Sequence, residues 1–310
     1  MKALSALLLG LLVAGGTLAQ PLAYVPNEKS ASLSVIDTAT GEKRGDLPVG
    51  QRPRGIAGGA GQLYVTDGAS GRLLIVEAAN GKLRRSIAVG DSPEGVSLSA
   101  DGRLLAVAVE DDNSVVLLGA PEGREIARIK VQGKNPEHAV FSPDGRWLYV
   151  SAEEAEQVDV IDVAQRRQVA SVAVGKRPRG IGFLPDGSRA YVACELAGKV
   201  YAIDVAQGRA VAEITAGQYP NGVAVHPDGK RVFVSNGRDG TVMVIDVASN
   251  AVVATIPVGK RPWNMAITPD GARLYVANGR SGSVSVIDTA TQSRLADIAV
   301  GELPWGVSIQ

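Results

Sequence analysis

The sequence of 310 residues is poor in the groups that most often carry chemistry: one cysteine, two histidines and 4% aromatic residues. A lone Cys194 excludes an internal disulfide, and with it any zinc or iron–sulfur site built from several thiolates. Formal charge is absent too, 32 Lys+Arg against 32 Asp+Glu, so there is no bulk attraction to nucleic acid or to an anionic membrane. Beyond residue 14 no apolar run approaches the ~20 residues that cross a bilayer, and no membrane span is expected. Catalytic signatures are equally scarce. There is no Cys-x-x-Cys-His for haem attachment, no Gly-x-Ser-x-Gly elbow, and the glycine-bearing pieces 50–60 and 279–282 follow neither a Rossmann nor a phosphate-loop pattern.

What is present begins with an address. Lys2 precedes an apolar run from Ala3 to Ala14, then small residues ending Thr17-Leu18-Ala19. That order is a cleavable secretory leader over residues 1–19, and it places the mature chain, residues 20–310, in the periplasm or outside the cell.

The mature chain is a repeat. A Val-Gly or near equivalent ends each unit at Gly50, Gly90, Gly133, Gly175, Gly217, Gly259 and Gly301, with gaps of 40, 43, 42, 42, 42 and 42 residues. Each unit holds four short β-branched pieces, A to D, bounded by Gly, Pro, Asp or Asn. Pro-Asp-Gly at 143–145, 185–187, 227–229 and 269–271 supplies the A–B turn. Asp37, Asp162, Asp204, Asp246 and Asp288 end strand C, where a carboxylate accepts backbone N–H groups of the next turn; repetition marks them as structural. Four strands per ~40 residues define a β-propeller blade. Pieces B, C and D precede Gly50, and an A piece, Pro304–Ile309, follows Gly301. The expected fold is therefore all-β: one seven-bladed ring of four-stranded antiparallel blades, closed by the C-terminal strand. The blades run 20–50 plus 302–310, 51–90, 91–133, 134–175, 176–217, 218–259 and 260–301.

Tyr24-Val-Pro-Asn27, Phe233-Val-Ser-Asn236 and Tyr275-Val-Ala-Asn278, with the Val-x-Val-Ile-Asp of strand C, resemble the YVTN family of propeller repeats. Asn27-Glu-Lys, Gln51-Arg-Pro-Arg-Gly-Ile56 and Leu303-Pro-Trp-Gly-Val307 resemble the exported seven-repeat members associated with pyrroloquinoline-quinone-dependent alcohol catabolism. The resemblance implies an accessory place in a quinoprotein alcohol-oxidation system, without implying an activity. Blade 2, with Gly58-Gly-Ala-Gly61 in place of Pro-Asp-Gly, and blade 3, which ends strand C on Gly119, depart from the pattern.

Function should lie where the repeats disagree on the face shared by the D–A and B–C loops. The residue after the D–A proline reads Arg54, Glu94, Glu137, Arg179, Asn221, Trp263 and Trp305 around the ring, a varying chemistry at a fixed place and the expected ligand- or partner-binding set. Arg52, Arg54, Lys176, Arg177, Arg179, Lys260 and Arg261 make blades 2, 5 and 7 basic on this face. Glu94, Glu110, Asp111, Asp112, Glu137, Glu153, Glu154, Glu156 and Glu195 make blades 3 to 5 an acidic sector suited to a cationic periplasmic partner. No catalytic residue is assigned, and nucleic acid is not an expected ligand. An alternative is a metal-dependent hydrolase or lactonase, with Glu94, Glu137, His138, Glu153 and Glu195 around Ca²⁺ or another divalent cation. His138 begins a strand A and His226 ends another, too far apart to share a metal. Cys194 takes an Asn position of the repeat and reads as a buried, inert thiol.

Overall fold

A computed structural model describes residues 21–310; the leader expected at 1–19 lies outside the described residues. Twenty-eight strands, β1 to β28 in chain order, form seven four-stranded antiparallel sheets. Among the described residues no helix is long and apolar enough to cross a membrane. Six sheets are continuous in sequence. The seventh joins β1 (Leu22–Asn27), β2 (Ser32–Asp37) and β3 (Lys43–Pro48) to β28 (Ser308–Ile309), the last strand lying beside the first. The inner strands follow one another in contact around the axis, and β28 touches the inner strands of blades 2 and 7, so the ring closes as expected.

The closing strand is shorter than its counterparts, two residues against six or seven. It is reinforced by an Asn27–Pro304 bridge, by Trp305 N–H donating to Pro26 O at 2.9 Å, and by reciprocal bonds between Leu22 and Gln310 of 2.7 and 3.0 Å.

Strands B and C are buried on both faces, whereas strand D is mostly exposed. The reason is visible in the core, which is divided into seven apolar clusters, each shared by two neighbouring blades. A blade sandwiched between two others needs apolar residues at consecutive positions, and this explains runs such as Val232–Val234. The tyrosine of the repeat is fully buried, yet in three blades its hydroxyl crosses to the next blade. Tyr24 reaches Ala78 O at 3.1 Å, Tyr191 reaches Asn250 Oδ1 at 3.0 Å and Tyr275 reaches Thr38 O at 3.3 Å. Burial of an aromatic body with a satisfied polar tip is what the position selects.

The repeat's other residues have local causes. All five strand-ending aspartates accept an N–H of the following turn at 2.8–2.9 Å. Asn278 Oδ1 accepts Gly259 N–H at 3.1 Å while its amide nitrogen donates to Ser283 and Ser285. A Cβ on Gly259 would meet Asn278 Cγ at 2.5 Å, so close approach to the asparagine fixes the glycine that ends the repeat. In blade 2, Gly59 pairs with Gln62 across Ala60 and Gly61, both at positive φ (51° and 73°). The departure from Pro-Asp-Gly is thus a two-residue hairpin, which accounts for the shorter unit.

Removing residues 304–310 would strip β1 of its partner and release the buried Trp305 and Val307. At about 1.5–3 kcal/mol per large apolar side chain, the truncated chain should lose roughly 3–6 kcal/mol. Chemical unfolding checks the loss, and light scattering should show association through the bared edge of β1.

Candidate functional site

In every blade the residue that follows strand B donates its N–H to the D–A loop that leads into that blade. These bonds are Glu28 to Leu303, Gly68 to Arg52, Glu110 to Ser92, Glu153 to Asn135, Glu195 to Arg177, Gly237 to Tyr219 and Gly279 to Arg261, all 2.7–3.0 Å. Seven equivalent bonds hold two rings of side chains in fixed relation at one end of the axis. Together the rings line a cup of about 200 Å³. All seven residues singled out by position, Arg54, Glu94, Glu137, Arg179, Asn221, Trp263 and Trp305, line it. The second ring was not singled out as a set, and it adds Glu28, Glu110 and Glu153 to the lining. A glutamate at the same place in four of the seven units was the available signal.

At Gly68 and Gly279 of the second ring, the first ring spreads over the glycine. A Cβ at Gly279 would lie 2.5 Å from the indole of Trp263, so the missing side chain makes room for the tryptophan.

The charged residues pair between blades. Arg54 of blade 2 meets Glu94 of blade 3 and stands 3.4 Å from Glu28 of blade 1, while Arg52 Nε donates to Glu28 at 2.6 Å. Across the cup, Arg179 of blade 5 contacts Glu137 and Glu153 of blade 4 and donates to Glu195 Oε2 at 2.7 Å. Arg177 donates to Glu153 at 2.6 Å, and Arg261 reaches over blade 6 to Glu195 at 2.7 Å. Burial raises the carboxyl of Glu195, but Arg179, Arg177 and Arg261 outweigh it and hold the group below the usual glutamate range. Glu153 goes the other way, because burial prevails over Arg177. Glu110 is the lining carboxylate with no arginine partner among the described residues; it accepts Ser92 Oγ–H at 3.0 Å.

The metal reading therefore needs correction. Glu94, Glu137, His138, Glu153 and Glu195 do not converge on a hard cation, since arginines occupy the carboxylate oxygens. No group of three or more His, Cys, Asp or Glu among the described residues is arranged to hold a metal ion. The acidic sector is likewise largely neutralised in place, with Glu94, Glu137, Glu153, Glu156 and Glu195 all ion-paired. His138 takes no part in the lining. It lies beneath the cup, its ring 5.5 Å from that of Trp305 in a distant blade, and side chains thus fill the axis. Its Nε2 is buried without a hydrogen bond, 3.8 Å from Glu137, and burial pulls its pKa down to about 4. Trp305 is itself buried, so it packs the closing blade as well as lining the cup. His226 sits at the far end of its strand, bonded to Gly271 O at 3.0 Å. Cys194 is fully buried, and burial pushes its thiol up to about 12, as an inert thiol requires.

Comparison with known proteins returns the same architecture. The family described as lactonase, 7-bladed beta-propeller, matches residues 163–301, and the cytochrome D1 heme domain matches residues 100–219. No curated protein matches the chain. Among solved structures, hydrazine synthase of Kuenenia stuttgartiensis superposes with a TM-score of 0.75 at 24% identity, covering 83% of this chain and 89% of that one. A functionally unknown protein from Desulfotomaculum acetoxidans gives 0.82 at 17% identity, covering 93% and 98%. Dihydro-heme d1 dehydrogenase NirN, in complex with DHE, gives 0.64 at 17% identity, covering 90% and 63%. At these identities the likeness is one of fold. The chain is a seven-bladed β-propeller protein, and its function has to be argued from its own cup.

Two outcomes test this geometry. Arg179→Ala leaves three carboxylates short of a buried cation and should destabilise by about 3–5 kcal/mol in chemical unfolding. For His138, the unfolded chain takes up a proton below pH 6.5 while the folded chain resists until about 4. Stability should fall by about 3 kcal/mol as pH drops across that window. His138→Gln should flatten that part of the stability–pH curve.

Proposed function

We propose that this chain is a non-catalytic binding propeller whose cup accepts a small cationic or hydrogen-bond-donating group, carried by a small molecule or by a side chain of a protein partner. The observation that supports this most is the convergence of one variable residue from every blade on a single cup. Residues that serve the repeat recur; these do not, and they surround a shared space. The cup's volume is below the roughly 300–1,000 Å³ of pockets that take drug-sized ligands, so the group it admits is small. Its arginines are neutralised by the paired glutamates, which leaves Glu110 as the free charge and Trp263, Trp305, Asn221 and Asn264 as the remaining lining. A carboxylate with indole faces and amide groups suits an ammonium group.

Haem, which the cytochrome D1 match raises, fits these residues poorly. Both histidines lie outside the lining, and the cup is too small for a tetrapyrrole. The hydrolase alternative lacks a metal cradle, as described above. Export to the periplasm is supported by the leader pattern around Lys2 and Ala19, and the accessory place in quinoprotein alcohol oxidation rests on the resemblance of the repeats.

Intrinsic tryptophan emission, titrated with a panel of small primary amines and matched carboxylates, tests the reading. Saturable responses are expected for the amines alone. They should disappear in Glu110→Gln and Trp263→Ala, with unfolding midpoints within about 2 °C of the parent. Equal responses to carboxylates, or an undiminished response in Trp263→Ala, would contradict it.

A further inference from the structure

A second concavity lies beside the cup, on the same face, between the loops of blades 6 and 7. It is larger, about 780 Å³, and shares only Arg261 with the cup. Its lining includes Tyr219, Arg238, Lys260, Arg261 and Arg280, with Asp239 as the one carboxylate.

Three features define it. First, three of its four cations are unpaired, Arg261 being held by Glu195. Elsewhere most loop cations of this face are paired: Lys29 with Glu302 at 2.7 Å in blade 1, Arg52 with Glu28, and Arg177 with Glu153. Arg238, Lys260 and Arg280 are exposed and form no ion pair among the described residues. Asp239, the carboxylate at hand, is used by the backbone, where its Oδ2 accepts Gln218 N–H at 2.7 Å. Second, the cations are held in place. Arg238 N–H donates to Gln218 O at 3.1 Å and Arg280 N–H to Lys260 O at 3.0 Å, so each B–C loop is pinned to a D–A loop. Third, the groove is built on a strained aromatic. Tyr219 stands at φ 58°, in the left-handed region that bulky side chains avoid. Its ring lies under two guanidiniums, Arg238 at 5.6 Å and Arg261 at 5.4 Å. An aromatic so placed orders both arginines, Arg238 with its charge free and Arg261 with its charge shared with Glu195.

From this juxtaposition we infer that the groove between blades 6 and 7 is a docking site for an acidic peptide segment of a partner protein. Three free cations in one concavity, Arg238, Lys260 and Arg280, complement a run of carboxylates, and the guanidinium forks match their geometry. A single-stranded nucleic acid fits less well. Such ligands need free aromatic faces for successive bases, and the one ring here is covered by arginines. The site is distinct from the cup, so a partner docked here by an acidic segment would stand over the cup's opening.

The test uses the full chain and a labelled peptide of ten residues rich in Asp and Glu, read by fluorescence anisotropy. Binding at low ionic strength is expected, weakening steeply as salt rises. The triple variant Arg238→Ala, Lys260→Ala, Arg280→Ala should bind at least tenfold more weakly, and Tyr219→Ala a few-fold more weakly with every cation retained. Lys230→Ala, in an A–B turn at the opposite end of the axis, should bind as the parent does. Glu110→Gln and Trp263→Ala should leave peptide binding unchanged, which separates this site from the cup. No binding by the parent, or equal loss in Lys230→Ala and the triple variant, would overturn the proposal. Tighter, salt-resistant binding of a single-stranded oligonucleotide of equal charge would overturn it in favour of nucleic acid.

Discussion

The pairing of the last strand with the first is the constraint on which the molecule rests. Seven apolar cores each need two blades, so a missing strand in blade 1 would weaken two interfaces rather than one. Val307 belongs to the core between blades 1 and 7, and Tyr24 to the core between blades 1 and 2. Both ends of the chain therefore contribute to the same sheet, and the loops that form the cup inherit their common plane from that closure. A two-residue strand achieves it because backbone bonds at Leu22, Pro26 and Asn27 extend the contact well beyond the strand itself.

The ion pairs around the cup act at the next level. Most join neighbouring or next-neighbouring blades: blade 2 to blades 1 and 3, blade 5 to blade 4, and blade 7 to blade 5, while Arg177 and Arg179 also pair with Glu195 within blade 5. Taking such groups out of water is expensive, and apolar replacements of similar size can be more stable. What the arrangement supplies is fixed placement. Arg179 touches three carboxylates from two blades, and its guanidinium geometry permits few alternatives. The same belt decides the electrostatics of the face. It cancels most of the acidic sector, leaving Glu110 within the cup and the cations of blades 6 and 7 outside it.

Much of this could be read in the sequence. The spacing of the terminal glycines set the number of blades, and the proline of each D–A loop fixed the seven cup positions, which the structure brings together. Turn chemistry was equally legible, because an Asp or Pro-Asp-Gly acts on residues two or three places away. The pairing of charges was not. Arg54 and Glu94 are 40 residues apart, and Arg261 and Glu195 are 66 apart. A repeat tells which positions are equivalent but not which side chain leans towards which neighbour. Carboxylates counted as an acidic sector were thus already answered by arginines counted separately. His138 illustrates the same limit, since its position in strand A was clear while its place beneath Trp305, filling the axis, depends on the ring's diameter. The basic groove was half visible: Lys260 and Arg261 stood out, whereas Arg238, Arg280 and Tyr219 acquire meaning only when the two loops are seen side by side.

Amide hydrogen exchange at Leu22 and Gln310 tests the closure most directly. These two residues bond to each other across the junction of the chain's ends. If the ring is closed as described, both amides should exchange only with global unfolding, as slowly as those in the buried strand Arg231–Asn236 of blade 6. Exchange at the rate of a free terminus would mean that blade 1 lacks its inner strand, and the shared placement of the cup residues would no longer follow.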